Sequence, residues 1–178
     1  MIFEENRVNG RRAFEGNILN VRVDTVTAPK GHAHREIVEH NGAAAAVALT
    51  EDGRVIMVRQ FRYAMGRVVL EVPAGKIDPG EEDPEKTMIR ELKEETGYEA
   101  GSVEFLGRIN PSVGYSEELI YIYLMRDLVP GKQHLDDDES LEVELMPFDE
   151  VYEMAQTGKI EDAKTIVALF MAARVIRG

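Results

Sequence analysis

Along the first forty positions, apolar residues are spaced by polar ones in the manner of short strands. Ile18, Val21, Val23 and Val26 mark one strand over 17–26, Pro29-Lys30-Gly31 makes a turn, and 34–40 alternates around Ile37 and Val38. This predicts a small antiparallel sheet of three strands. So few strands with so little apolar content are marginal alone and need another surface to pack on, one candidate being a neighbouring subunit. From Ala43 to Leu49 the pattern becomes a continuous small-apolar run, the mark of a buried strand. Glu51-Asp52-Gly53 turns the chain into a return strand over 54–62, with Val55, Met57 and Phe61 on one alternating set, and a short strand over 68–72 ends at Pro73.

Helical spacing then takes over. Asp83 is a suitable N-cap, Pro84 suits the first helical position and Gly97 the left-handed C-terminal cap, which predicts a helix over 84–96 with Ile89 and Leu92 facing the sheet. Strands are expected at 102–109, 119–126 and 142–147. Helices are expected at 148–156 and 162–175, the last with Ile166, Val167, Phe170, Met171 and Val175 at helical spacing. Strands interleaved with a few helices predict an α+β or α/β sandwich.

Composition narrows the class. With 178 residues, 44% hydrophobic and 30% charged, the chain fits one domain, or one with a small appendage, and needs no disulfide to fold. The absence of cysteine excludes disulfides and thiolate metal sites and fits a reducing cytoplasm. The net charge of -12 argues against a nucleic-acid backbone as partner, though a divalent cation can reverse the local sign for a nucleotide. Met1 to Glu5 lacks the regions of a signal peptide, and the Ala43–Leu49 run is too short to span a bilayer. A soluble, cytoplasmic protein with no membrane partner is the expectation.

The candidate chemistry lies in 75–98, GKIDPGEEDPEKTMIRELKEETGY. On the predicted helix Glu91, Glu94 and Glu95 stand at i, i+3 and i+4, so their carboxylates share a face. Such a cluster repels itself unless a hard cation lies among the carboxylates, and magnesium prefers this oxygen chemistry. Arg90 is placed to reach a carboxylate near the start of the helix. An isolated E-x-x-E-E is more often a solvated acidic face, so the surrounding residues decide.

Those surroundings resemble the Nudix box, G-x5-E-x7-R-E-U-x-E-E-x-G-U with U a bulky apolar residue. Gly75, the pair Glu81-Glu82 and the run Arg90 to Tyr98 carry the resemblance, and R-E-U-x-E-E-x-G matches throughout. The segment holds one residue too many. Counting from Gly75 selects Glu81, whereas counting back from Arg90 selects Glu82. Helical register is rigid and loops absorb insertions, which favours Glu82 and leaves Glu81 open. The resemblance implies a Nudix α/β/α sandwich with a mixed sheet (41–178), preceded by the small sheet of 1–40 as a dimerisation unit. It further implies Mg2+, or Mn2+, held chiefly by Glu91 and Glu95, with Glu94, Glu82 and the Ala74 carbonyl assisting, and Arg90 orienting a glutamate. Phosphoryl transfer is largely positioning and charge stabilisation, which suits such a helix.

The resemblance extends outside the box. The runs Arg35 to His40, Val58 to Arg62, Glu71 to Lys76 and Gly158 to Thr165 are similar to the branch that hydrolyses ADP-ribose and other nucleoside diphosphate sugars, whose members are typically homodimers. This implies substrate contacts from Arg59, Arg62 and Glu71, and from Gly114, Ser116 and Glu118 in the 110–118 loop. Arg59 and Arg62 read equally well as phosphate or adenine ligands and as surface salt bridges. In the acidic run 136–139, Glu139 aligns best as the residue that positions or deprotonates the attacking water. Val113 stands where ADP-ribose enzymes commonly carry a proline, which keeps GDP-mannose and ADP-glucose open as substrates. A non-catalytic, nucleotide-sensing domain is the reading from another class, and it is disfavoured because the box carboxylates are all retained. His32 and His34 lack a third ligand nearby and read as an exposed pair.

Overall fold

The computed structural model describes residues 1–80, 83–136 and 139–178. The chain divides into two compact units, Met1–Gly42 with Asn110–Leu119, and Ala43–Ile109 with Ile120–Gly178.

In the first unit β1 (Arg7–Glu15), β2 (Asn20–Ala28) and β3 (Gly31–Glu39) form an antiparallel sheet in the order β1-β2-β3. The turn before Gly31 closes the β2–β3 hairpin, pairing Ala28 with Gly31, and a positive φ of 108° explains the glycine there. The segment 110–119 joins this sheet at β3. The Val38 N–H donates to the Tyr115 carbonyl (2.7 Å), and the Glu117 N–H donates to the Val38 carbonyl (3.0 Å). A parallel bridge thus pairs Val38 with Ser116.

The second unit is built on a mixed seven-stranded sheet. Its main path runs β10 (Leu141–Pro147), β5 (Arg54–Arg62), β4 (Ala43–Leu49), β9 (Ile120–Pro130) and β8 (Tyr98–Ile109). β6 (Arg67–Glu71) pairs with β5, β7 (Ala74–Lys76) pairs with β4, and only β4–β9 is parallel among these pairings. Period-two alternation sends Ala45 and Val47 of β4 into one apolar cluster and Ala44, Ala46 and Ala48 into another. The strand is buried on both faces, which is why it reads as an unbroken apolar run.

Helix α1 (Pro84–Thr96) covers the second cluster, while α2 (Phe148–Gln156) and α3 (Ala163–Arg177) cover the first, giving the expected α/β/α sandwich. The Asp83 carboxylate accepts from the Glu85 N–H, and Gly97 closes α1 in the left-handed region at φ 77°. Helix α1 is docked by Met88 and Leu92, both fully buried, each contributing about 1.5–3 kcal/mol of apolar burial.

Three expectations about core faces need correction. Ile89 is exposed and Met88 takes the core position, because i and i+4 share a face and Leu92 sets it. Phe61 is exposed, since β5 leaves the core after Val58. In α3 the buried residues are Thr165, Ala168, Leu169, Ala172 and Ala173, and Phe170 is exposed. Small side chains let α3 lie close on alanine-built β4, while Ile166, Met171 and Val175 of the spaced set pack part-buried against the same core.

Candidate active site

The packing of α1 sets a gradient of burial along its acidic face. Leu92 fixes the helix on the sheet, so Glu95 turns inward at 3% exposure, the Glu91 side chain lies at 13%, and the Glu94 side chain at 38%. Strand β7 runs beneath them, held on β4 by the pairs Ala43–Lys76, Ala44–Gly75 and Ala45–Ala74. The Ala74 N–H donates to Glu95 Oε2 (3.1 Å). Glu91 lies directly over Gly75, where any Cβ would overlap its Cγ and Cδ.

Burial dominates the electrostatics. It pushes the Glu95 carboxyl up to about 8; the Ala74 N–H opposes this, while the charges of Glu91 and Glu139 add to it. Burial also raises Glu91, partly offset by Arg90 and reinforced by Glu94 and Glu139. Arg90 spans the acids. Its guanidinium lies 2.9 Å from Glu91 Oε1, donates to Glu94 Oε2 (2.7 Å) and reaches Asp78 in the preceding loop (3.4 Å). Burial lowers the Arg90 pKa, but these carboxylates outweigh it and the net shift is upward. Asp78 was not singled out in the sequence, and only its position in the loop before the helix could have suggested it.

The segment that carries Glu139 is fixed at its start to the end of α1. The Gln133 side chain donates to the Glu95 carbonyl (2.6 Å) and the His134 N–H to the Glu94 carbonyl (2.9 Å), satisfying two otherwise orphaned helix carbonyls. Gly97 and Gly131 pack backbone to backbone at this junction. The Glu139 N–H bonds the Asp136 carbonyl (3.0 Å), and the Glu139 charge is felt by both Glu91 and Glu95. Glu81, Glu82, Asp137 and Asp138 lie outside the described residues.

Arg62 grips Glu71 with two bonds, Nε to Oε1 (2.7 Å) and Nη2 to Oε2 (2.8 Å), and Nη1 has no partner among the described residues. Glu71 is buried and is also paired with Lys164. Burial pushes its carboxyl up, but Arg62 and Lys164 together outweigh that and hold it below the usual range. Arg59 is exposed on β5 and paired with Glu144 (2.7 Å).

The loop residues Gly114, Ser116 and Glu118 belong to the first unit. Ser116 Oγ accepts from the Glu118 N–H (3.2 Å), the Glu118 carboxylate stands 3.8 Å from His40 Nδ1, and a side chain at 114 would meet open space. Sequence reasoning missed the ion pair between Arg22 and Glu117 (2.6 Å), which anchors this loop beside its backbone bonds to Val38. In the β2–β3 hairpin His34 faces Thr25 (3.4 Å).

Among the described residues no three His, Asp or Glu side chains converge as a ready-made metal cage. The donor chemistry nevertheless fits a hard divalent cation. The buried Glu95 and half-buried Glu91 carboxylates repel each other and Glu139, with Arg90 as the cation bridging Glu91 and Glu94. Added positive charge among them would remove the cost of their ionisation.

A mixed sheet between helices, with an acid-bearing helix docked over β7, defines an α/β/α sandwich of one particular kind. The NUDIX domain model matches residues 39–169, and the chain belongs to the Nudix family. It is 38% identical over 169 residues to the ADP-ribose pyrophosphatase of Bacillus subtilis (strain 168), across 93% of this chain and 91% of that one. It is also 36% identical over 171 residues to the methanol dehydrogenase activator of Bacillus methanolicus, across 94% and 92% respectively. A solved structure of an ADP compounds hydrolase is similar in fold over 100% of this chain and 97% of its own, with a TM-score of 0.83 at 22% identity.

Proposed function

We propose that this protein hydrolyses the pyrophosphate bond of ADP-ribose, giving AMP and ribose 5-phosphate. The observation that carries the reading is the pair of box carboxylates, half-buried Glu91 over Gly75 and buried Glu95 on the Ala74 N–H, within the field of Glu139. The 38% identity to an ADP-ribose pyrophosphatase over most of both chains supports the substrate. Glu91 and Glu95 are the principal ligands for Mg2+, or Mn2+, with Glu94, Glu82 and the Ala74 carbonyl assisting. A bound divalent cation supplies charge neutralisation and Lewis acidity at the pyrophosphate.

The chain's own groups do the rest. Arg90 holds Glu91 and Glu94 in register. Glu139 orients a water and takes its proton as the water oxygen bonds to one phosphorus. The bond from that phosphorus to the bridging oxygen breaks, and the bridging oxygen leaves on the other phosphate. Arg62, oriented by Glu71, offers Nη1 to a phosphate oxygen. Arg59 exchanges its exposed partner Glu144 for the same purpose at little cost. Gly114, Ser116 and Glu118 are proposed as further substrate contacts on the strength of the family resemblance. The exposed Val8, Phe14 and Ile18 of the first unit support a homodimer built through the sheet of 1–40. No helix among the described residues is long and apolar enough to cross a membrane, and the cysteine-free chain fits the cytoplasm.

A second reading is hydrolysis of another sugar nucleotide such as GDP-mannose. It is favoured by Val113, 84% exposed in the loop where ADP-ribose enzymes commonly carry proline. Product analysis over a panel of sugar nucleotides and nucleoside triphosphates, with and without magnesium and beside Glu95→Gln, tests both. AMP released from ADP-ribose at the highest kcat/KM, dependent on metal and lost in the variant, is the expected result. Faster turnover of GDP-mannose moves the substrate. Nucleotide binding without cleavage of anything in the panel overturns the catalytic reading.

A further inference from the structure

The run Gly158 to Thr165 is one of the segments outside the box that carry the resemblance, yet the reaction described above gives its polar residues no task. Their geometry assigns one. Asp162 caps α3, and its Oδ2 accepts from the Thr165 N–H (3.0 Å), the Thr165 hydroxyl (2.5 Å) and Lys164 Nζ (2.9 Å). Thr165 is fully buried. Its hydroxyl spends its only proton on Asp162, so the oxygen lone pairs face outward, and one accepts the Val72 N–H (2.9 Å). Lys164, largely buried, pairs with Glu71 on its other side.

These contacts act on the crossover from β6 to β7, residues 71–74. The ladder between β5 and β6 ends at Val58–Glu71, so the backbone from Val72 to Pro73 has no strand partner for its donors. Pro73 has no N–H, and its carbonyl accepts from the Ala46 N–H (3.1 Å). The Val72 N–H goes to Thr165 and the Ala74 N–H to Glu95. The crossover is therefore held on one side by the head of α3 and delivers its next free donor to the buried box carboxylate. The four ionic groups, Arg62 and Lys164 against Glu71 and Asp162, balance in charge. A closed, neutral network of this kind holds geometry and leaves no carboxylate seeking a ligand.

We infer that Asp162, Lys164 and Thr165 are positioning residues. They fix the crossover 71–74 through Val72 and Glu71, and so set the height of Ala74 against Glu95. The inference concerns backbone register and rests on the proposed function only where metal affinity and turnover are read.

Thr165→Val removes the hydroxyl at nearly constant volume, and Thr165→Ser restores it. Amide hydrogen exchange on the metal-free protein reads the register directly. Exchange at Val72 and Ala74 should accelerate at least tenfold in Thr165→Val, with the interior of α1 unchanged, and return in Thr165→Ser. Mn2+ affinity, followed by electron paramagnetic resonance, should weaken about tenfold, and kcat should fall about tenfold while KM stays within twofold. If Thr165→Val lowers only Tm, with the Ala74 amide, Mn2+ affinity and kcat unchanged, the inference fails and the network is merely structural. Should Thr165→Val not fold, Lys164→Met is read by the same criteria. A wild type that binds no Mn2+ would defeat the metal reading, and the exchange data would still decide on the register.

Discussion

Glu91 lies so close over Gly75 that the glycine's missing side chain is part of the site. Gly75 is not among the glycines with positive φ, so close approach rather than backbone conformation is what demands it. The atoms that a Cβ would strike, Glu91 Cγ and Cδ, belong to a flexible side chain that can rotate away. Gly75→Ala should therefore fold, with Tm within a few degrees of wild type, while Glu91 is displaced. The expected loss in kcat is about a hundredfold, since misplacement by about 1 Å has that cost. Thermal melts beside steady-state kinetics check it; a large drop in Tm with residual kcat intact would contradict it.

Glu95 links the site to stability. Its carboxyl titrates at about 8 in the folded chain against an ordinary value of 4.5. Between those values the folded chain keeps a proton that the unfolded chain has released. The stability Glu95 lends is thus fully present below about pH 4.5 and declines as pH rises to about 8. Glu95→Gln keeps the group neutral and still accepts from Ala74. In metal-free protein, the wild-type Tm should fall by several degrees more than that of Glu95→Gln between pH 5 and pH 8. Parallel curves for the two proteins would show that Glu95 carries no such cost.

The periodic and local signals were legible in the sequence. Capping chemistry at Asp83, Pro84 and Gly97 delimits α1, and the i, i+3, i+4 spacing places its acids on one face. What stayed hidden depends on contacts distant along the chain. Val72 meets Thr165 across 93 residues, and Arg22 meets Glu117 across 95. The membership of 110–119 in the first unit was hidden for the same reason, because one parallel bridge at Val38 leaves no local pattern. The spacing in α3 caught Ile166, Met171 and Val175, which pack against the core, but not Leu169 and the alanines that are buried most deeply.

Of the two described acids of 136–139, Asp136 and Glu139, it is Glu139 whose charge reaches Glu91 and Glu95. If it takes the proton from water, Glu139→Gln removes a general base, worth about 10²–10⁴ in rate. The variant should lose that much kcat while binding Mn2+ and substrate as wild type does. Glu94→Gln should instead weaken the metal, because Glu94 stands in the Arg90 bridge on the box helix. Single-turnover rates beside Mn2+ titrations separate the two. Full activity in Glu139→Gln would assign the proton transfer elsewhere.

Arg22 holds the loop proposed to face substrate. Its guanidinium binds Asp24 (3.0 Å), Glu39 (2.7 Å) and Glu117 (2.6 Å), and Glu117, then Asp24, hold its pKa above the usual value against burial. Asp24 is buried on β2, and Gly10 opposite it has no room for a Cβ. Removing Arg22 leaves Asp24 to Arg7 and frees Glu117, at a cost of about 2 kcal/mol. Because the anchor lies in the loop's unit and the box acids lie in the other, the effect on catalysis should be selective. Arg22→Ala should raise KM about tenfold with kcat within twofold, and Arg22→Lys should recover only part, since one ammonium cannot reproduce three directed bonds. A fall in kcat at constant KM would mean that the loop serves the chemical step and not the binding of substrate.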